Sequence, residues 1–113
     1  MPARRNLSGY RSMWVLVMFD LPVVEARARH DYARFRTRLM GEGFTMLQYS
    51  IYGRWCPSEE AAFTYRRKIR AMLPPKGEVR VLSVTDRQFG KMEVFVARAR
   101  ERPEKRPEQL LLL

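Results

Sequence analysis

The sequence predicts an α+β domain in which two helices cover one face of an antiparallel sheet. Three observations carry that reading. The run Met13-Trp14-Val15-Leu16-Val17-Met18-Phe19 is apolar on both alternate faces, as expected of a strand in the middle of a sheet. Two later stretches place apolar residues at the three- and four-residue spacing of an amphipathic helix. The remaining apolar runs are rich in β-branched and aromatic residues, which favour strands. A chain of 113 residues suits one domain, and a hydrophobic share of 46% is enough to build its core.

The first strand puts Trp14, Leu16 and Met18 on one face and Val15, Val17 and Phe19 on the other. It stops at Asp20-Leu21-Pro22, where the proline forces a turn. It is too short to cross a bilayer, which needs about 20 residues. A helix is expected over residues 24–40, with Ala28, Tyr32, Phe35 and Leu39 as its apolar stripe and Gly41 and Gly43 as its stop. Residues 44–56 are strand-like but too long for one strand. They are expected to split near Gln48-Tyr49-Ser50, although no glycine or proline marks the turn. Ser58 suits the N-cap of a second helix, Glu59 and Glu60 suit its positive end, and Pro74-Pro75 closes it. Ala62, Tyr65, Ile69 and Met72 form its stripe. Residues 78–85 read as a strand, residues 86–90 as a loop, and residues 91–96 as a last short strand. Residues 1–12 are expected to be a flexible arm, residues 13–96 the folded domain, and residues 97–113 a charged disordered tail ending in four leucines.

The first six elements follow the split β-α-β order of a ferredoxin-like fold, βαββαβ, with an extra C-terminal strand. Its helices would cover one sheet face and leave the other open. An open apolar face marks a partner surface, so a face-to-face homodimer is expected, with residues 91–96 adding to the edge of the second copy's sheet.

Twenty-two Lys and Arg residues against twelve Asp and Glu leave a net charge of +10, which points to a polyanion: nucleic acid first, an anionic membrane surface second. Cys56 is the only cysteine, which excludes an internal disulfide and fits a reducing, cytoplasmic setting. With His30 it cannot complete a Cys/His zinc site. No signal peptide is discernible, because polar residues separate Arg4 and Arg5 from the apolar run and Asp20 ends that run early. Asp20 is the candidate site. Two symmetry-related copies of it would share a proton or a cation, and magnesium, or manganese in its place, would equip the site for phosphodiester hydrolysis. From the residues alone, an aspartate that merely accepts hydrogen bonds in its own turn is the simpler reading, since lone aspartates before turns are common. Arg27, Arg34 and Arg38 share a face of the first helix, either as a solvated surface or as a rail for phosphates. Ser50 and Ser83 have no activating histidine in view. Tyr49 and Tyr52 suit a core as well as base stacking.

Three motifs then occur in order: Met18-Phe19-Asp20-Leu21-Pro22, Gln48-Tyr49-Ser50-Ile51-Tyr52 and Thr85-Asp86-Arg87-Gln88-Phe89-Gly90. With the Leu73-Pro74-Pro75 helix end, they resemble the small CRISPR-associated endonuclease of the spacer-acquisition module, the partner of the CRISPR integrase. The resemblance spans about residues 13–96. It implies a ferredoxin-like homodimer whose last strand crosses to the other subunit. It also implies a magnesium-binding catalytic aspartate at Asp20, endonuclease activity on RNA or DNA, and a scaffold role on double-stranded DNA beside the integrase. Arg27 and Arg34 are the nucleic-acid contacts it suggests. Many relatives carry tyrosine where this chain has Phe19, so a phenol would be missing from the site. A non-catalytic scaffold, a toxin-like ribonuclease and a single-stranded RNA-binding module are the alternatives on the same fold.

Overall fold

The computed structural model describes residues 11–97. The arm and tail expectations for residues 1–10 and 98–113 lie outside the described residues. The chain runs β1 (Met13–Asp20), α1 (Ala26–Gly41), β2 (Thr45–Gln48), β3 (Ile51–Cys56), α2 (Glu59–Ala71), β4 (Glu78–Thr85) and α3 (Asp86–Gly90). The strands form one sheet in the order β2-β3-β1-β4, and the paired neighbours are antiparallel. This is the expected ferredoxin-like α+β arrangement, with β1 central.

Pleating divides β1 as the sequence predicts. Val15, Val17 and Phe19 are buried beneath the helices with Phe35 and Leu39 of α1, Ala62 and Ile69 of α2, and Phe44, Tyr52 and Cys56. Phe19 meets Phe35 edge-on at 5.1 Å between ring centres, a favoured aromatic geometry. The Tyr52 hydroxyl is buried within this core without a hydrogen-bond partner among the described residues. The other face of β1 pairs Trp14 with Trp55 and Val84, Leu16 with Gly53 and Leu82, and Met18 with Ile51 and Arg80. No helix of the core layer covers it, and Trp55 and Leu82 remain 45% and 50% exposed. Gly53 keeps its centre flat, since a Cβ there would meet Leu47 and Leu16 side chains at 3.0 and 3.2 Å.

Local chemistry sets the boundaries. α1 begins at Ala26, two residues later than expected, after Glu25, whose side chain makes no capping bond. α2 starts where predicted, with the Ser58 hydroxyl accepting from the Ala61 N–H at 3.1 Å. The β2–β3 turn falls at Tyr49-Ser50, and Ser50 takes a left-handed conformation at φ 65°. That conformation does what a glycine would ordinarily do.

Two expectations need correction. Residues 86–90 are a short helix rather than a loop. Thr85 and Gln88 form a capping box: the Gln88 N–H donates to Thr85 Oγ1 at 3.0 Å, and the Thr85 N–H donates to Gln88 Oε1 at 2.9 Å. Residues 91–96 are not a strand in the single chain. They pair with neither edge strand of the sheet, β2 or β4, and Val94, Phe95 and Val96 stand exposed. Among the described residues, no helix is long and apolar enough to cross a membrane.

Candidate functional site

The central strand delivers Asp20 to the carboxyl end of the sheet. Alternation along β1 places it on the open face with Met18, in register with Glu78 of β4. Asp20 is exposed, and its carboxylate makes no hydrogen bond or ion pair among the described residues. It therefore does not play the ordinary role of capping its own turn. Glu78 is a second carboxylate that the sequence did not single out, because only the β1–β4 register makes it a neighbour. Glu78 is partly occupied, since Arg80 Nη2 lies 3.4 Å from its Oε1.

The chain around Asp20 is held from both sides. The Phe19 N–H donates to the Ser50 carbonyl at 3.1 Å, which extends the β1–β3 ladder one step past its last pair, Met18 with Ile51. Ser50 Oγ lies 3.4 Å from the Tyr32 hydroxyl of α1. On the β4 side, Gly77 is left-handed at φ 98°, and a Cβ there would lie 2.6 Å from the Leu21 side chain and 2.8 Å from the Asp20 carbonyl oxygen.

Phe19 points away from this carboxylate into the core, among Tyr32, Phe35 and Tyr52. A phenol at position 19 would extend from a ring on the opposite face of the sheet from Asp20. Two other phenols, Tyr32 and Tyr52, already border that core position. Tyr32 stacks beside Tyr49 at 6.4 Å, and Tyr49 is 73% exposed, so of the two tyrosines named from the sequence only Tyr52 is core. The Tyr49 phenol is held above its ordinary pKa, chiefly by the neighbouring Tyr32 hydroxyl.

The arginines sort by what they touch. Arg29 Nη1 donates to the Val24 carbonyl at 2.8 Å and so fixes the start of α1. Arg66 Nη1 donates to Ser83 Oγ at 2.7 Å, which gives that serine a structural role. Arg27, Arg34 and Arg38 make no hydrogen bond or ion pair among the described residues. Arg27 lines a hollow of about 290 Å³ with Leu21, Pro22, Tyr32 and Lys76, directly behind the Asp20 corner. Arg34 lines the next hollow with Asp31 and Arg38. It is about 10 Å further along the helix axis at 1.5 Å per residue. The structure thus brings Arg27 to the corner and leaves Arg34 on the flank. His30 is exposed on α1 and Cys56 is buried, and neither approaches Asp20's strand end.

Among the described residues of one protomer, no three Asp, Glu, His or Cys side chains converge as a metal site. What is present is one unengaged carboxylate with hard oxygen donors. That suits magnesium, which is commonly held by one or two carboxylates and retains several waters. The donor set fits the ion if a second copy supplies the other carboxylate.

Residues 13–92 match the family model described as CRISPR associated protein Cas2. The chain is 48% identical over 100 residues to a CRISPR-associated endoribonuclease Cas2 of Parvibaculum lavamentivorans, covering 88% of this chain and 99% of that relative. It is 42% identical over 107 residues to a protein of the same name from Flavobacterium psychrophilum, covering 95% and 93%. A third such relative, from Paracidovorax avenae, is 40% identical over 103 residues, covering 91% and 95%.

Proposed function

Because this chain belongs to the CRISPR associated protein Cas2 family, we propose that it is a homodimeric, metal-dependent endonuclease of CRISPR adaptation, cytoplasmic, that also holds double-stranded DNA beside the integrase. The observation that carries the catalytic part is Asp20: an exposed, unengaged carboxylate at the end of the central strand, on the same face as an uncovered apolar surface. The names of the relatives, each an endoribonuclease, favour RNA as the substrate cleaved.

Burial of Trp14, Trp55 and Leu82 against a second copy drives the two sheets face to face. Residues 91–96, which pair with no strand of their own chain, add to the edge of the second copy's sheet. A two-fold axis then brings the second Asp20 toward the first. Two facing carboxylates repel, and a divalent cation, Mg²⁺ or Mn²⁺, relieves that repulsion. When bound there, the metal supplies an activated water and stabilises charge on the phosphate. Asp20 holds the ion through its oxygens. Arg27 at the corner and Arg34 along the flank neutralise phosphates on either side of the scissile bond. These contacts read backbone and carry no base preference, which suits the scaffold role on duplex DNA as well.

The test is cleavage of labelled RNA by rigorously purified wild type and Asp20→Ala, with magnesium and with EDTA. The proposal expects wild-type cleavage only with metal and at least a hundredfold loss in Asp20→Ala, as for removal of a group acting only in the transition state. Duplex DNA binding should survive the substitution and weaken steeply with salt. Equal cleavage by both proteins would leave the scaffold function alone.

A further inference from the structure

Asp20 carries the chemistry proposed above, yet its own side chain is held by nothing among the described residues. Its placement rests on its backbone, and that backbone is gripped at two points by residues in the left-handed region. Ser50 is the first. It is the one non-glycine residue with positive φ among the described residues, at 65°. Left-handed backbone costs a residue with a Cβ roughly 1–2 kcal/mol, and such strain persists only where the surroundings impose it. Here it turns the Ser50 carbonyl to accept the Phe19 N–H at 3.1 Å, the last backbone bond before Asp20 on the β3 side. The Tyr32 hydroxyl, 3.4 Å from Ser50 Oγ, keeps the turn against α1. Gly77 is the second. At φ 98° it packs directly under the Asp20 carbonyl and Leu21, with room for no side chain.

We infer that Ser50 and Gly77 are positioning residues that aim the Asp20 carboxylate by clamping the backbone on either side of it. The inference rests on the catalytic reading of Asp20 and deepens it. β1 is anchored along its length by ladders to β3 and β4. Only at its last residues does one ladder depend on a turn and the other on a glycine. A shift there moves the carboxylate while leaving the centre of the core in place, since Val15 and Val17 lie further back along the strand. The two residues approach Asp20 from opposite neighbours in sequence, one before β3 and one before β4, so they can be perturbed independently.

The full-length protein is assayed for RNA cleavage as wild type, Ser50→Val, Ser50→Asn, Gly77→Ala and Asp20→Asn, with Mn²⁺ affinity measured separately by calorimetry. Ser50→Val opposes the left-handed conformation, whereas asparagine tolerates it. The expected result is a kcat lowered about tenfold to a hundredfold in Ser50→Val and in Gly77→Ala, since a displacement near 1 Å is worth that much. KM should remain within about twofold, Mn²⁺ should bind more weakly, and Ser50→Asn should restore both quantities. Unchanged kcat and Mn²⁺ affinity in both folded variants overturns the inference. Equal loss in Ser50→Asn and Ser50→Val overturns the backbone clamp at Ser50. If Ser50→Val does not fold, Gly77→Ala alone decides by the same criteria. Full cleavage by Asp20→Asn instead overturns the catalytic reading itself, a result recognisable without either clamp variant.

Discussion

At the scale of single residues, pleating gives adjacent side chains opposite roles. Phe19 closes the core and Asp20 faces outward, one position apart on β1. A tyrosine in place of Phe19, which the resemblance led one to expect, would therefore change the core layer rather than the carboxylate. Cys56 shows the same division at the other end of the sheet. It is fully buried, and burial pushes its thiol above the ordinary value, with Arg54 and Arg66 pulling partly back. The folded pKa thus lies above the unfolded one, near 9.0. The neutral thiol's contribution to stability is whole below that pH and is lost as pH rises toward the folded value. A disulfide reagent at pH 8 should accordingly label the urea-unfolded chain quickly and the native protein at least a hundredfold more slowly, because it reacts with exposed thiolate. Rapid native labelling would contradict this burial. Asp20 was legible in the sequence because a long apolar run ended on it. Ser50 was not, because its role lies in a dihedral angle, and serine carries no turn signal as strong as glycine or proline.

At the scale of elements, the sequence was read correctly wherever a period was long enough to register. The sixteen residues of α1 and thirteen of α2 repeat their apolar spacing several times. The stripe residues Phe35, Leu39, Ala62 and Ile69 are the buried ones. α3 was missed because five residues complete little more than one turn. Its signal is instead the pair Thr85 and Gln88, three apart, which satisfies two orphan donors reciprocally. That small helix fixes one end of the open sheet face. Asp86 Oδ1 accepts from Trp14 Nε1 at 2.8 Å, and the Phe89 ring stacks on Trp14 at 3.9 Å and 11°. The Asp86 N–H also ties Ser12 to the domain through its carbonyl at 3.0 Å, so the expected flexible arm is anchored at its last residue. Thr85→Val should remove the cap, cost about 1 kcal/mol, and loosen Phe89 from Trp14. A red-shifted tryptophan emission together with a lower urea midpoint would show it. An unchanged spectrum would mean that the stack holds the helix without its cap. Residues 91–96 illustrate the opposite limit. Their alternation is strand-like, but a strand needs a partner, and neither edge strand of the single chain, β2 or β4, pairs with them.

At the scale of the whole molecule, the domain has two chemically distinct surfaces. The helical side carries the unengaged cations Arg27, Arg34 and Arg38 along hollows beside α1. The sheet side is apolar from Trp14 across to Leu82 and ends in the Asp20 carboxylate. The net charge of +10 made a basic surface legible from composition alone. That the two helices would leave one sheet face uncovered was legible too, because a strand greasy on both sides needs two covers and two helices supply only one. The register that sets Glu78 beside Asp20 was invisible, since it depends on where β4 begins after Gly77. Joining these surfaces depends on one geometric condition: association through the sheet must bring two Asp20 carboxylates to a shared cation. A crystal structure of the protein grown with Mn²⁺, phased to show anomalous scattering, tests that condition most directly. The account predicts a manganese peak on or near a two-fold axis between the Asp20 side chains of two copies joined through their open sheet faces. Copies joined through their helices, with the two carboxylates apart in solvent and no manganese on either, would contradict it.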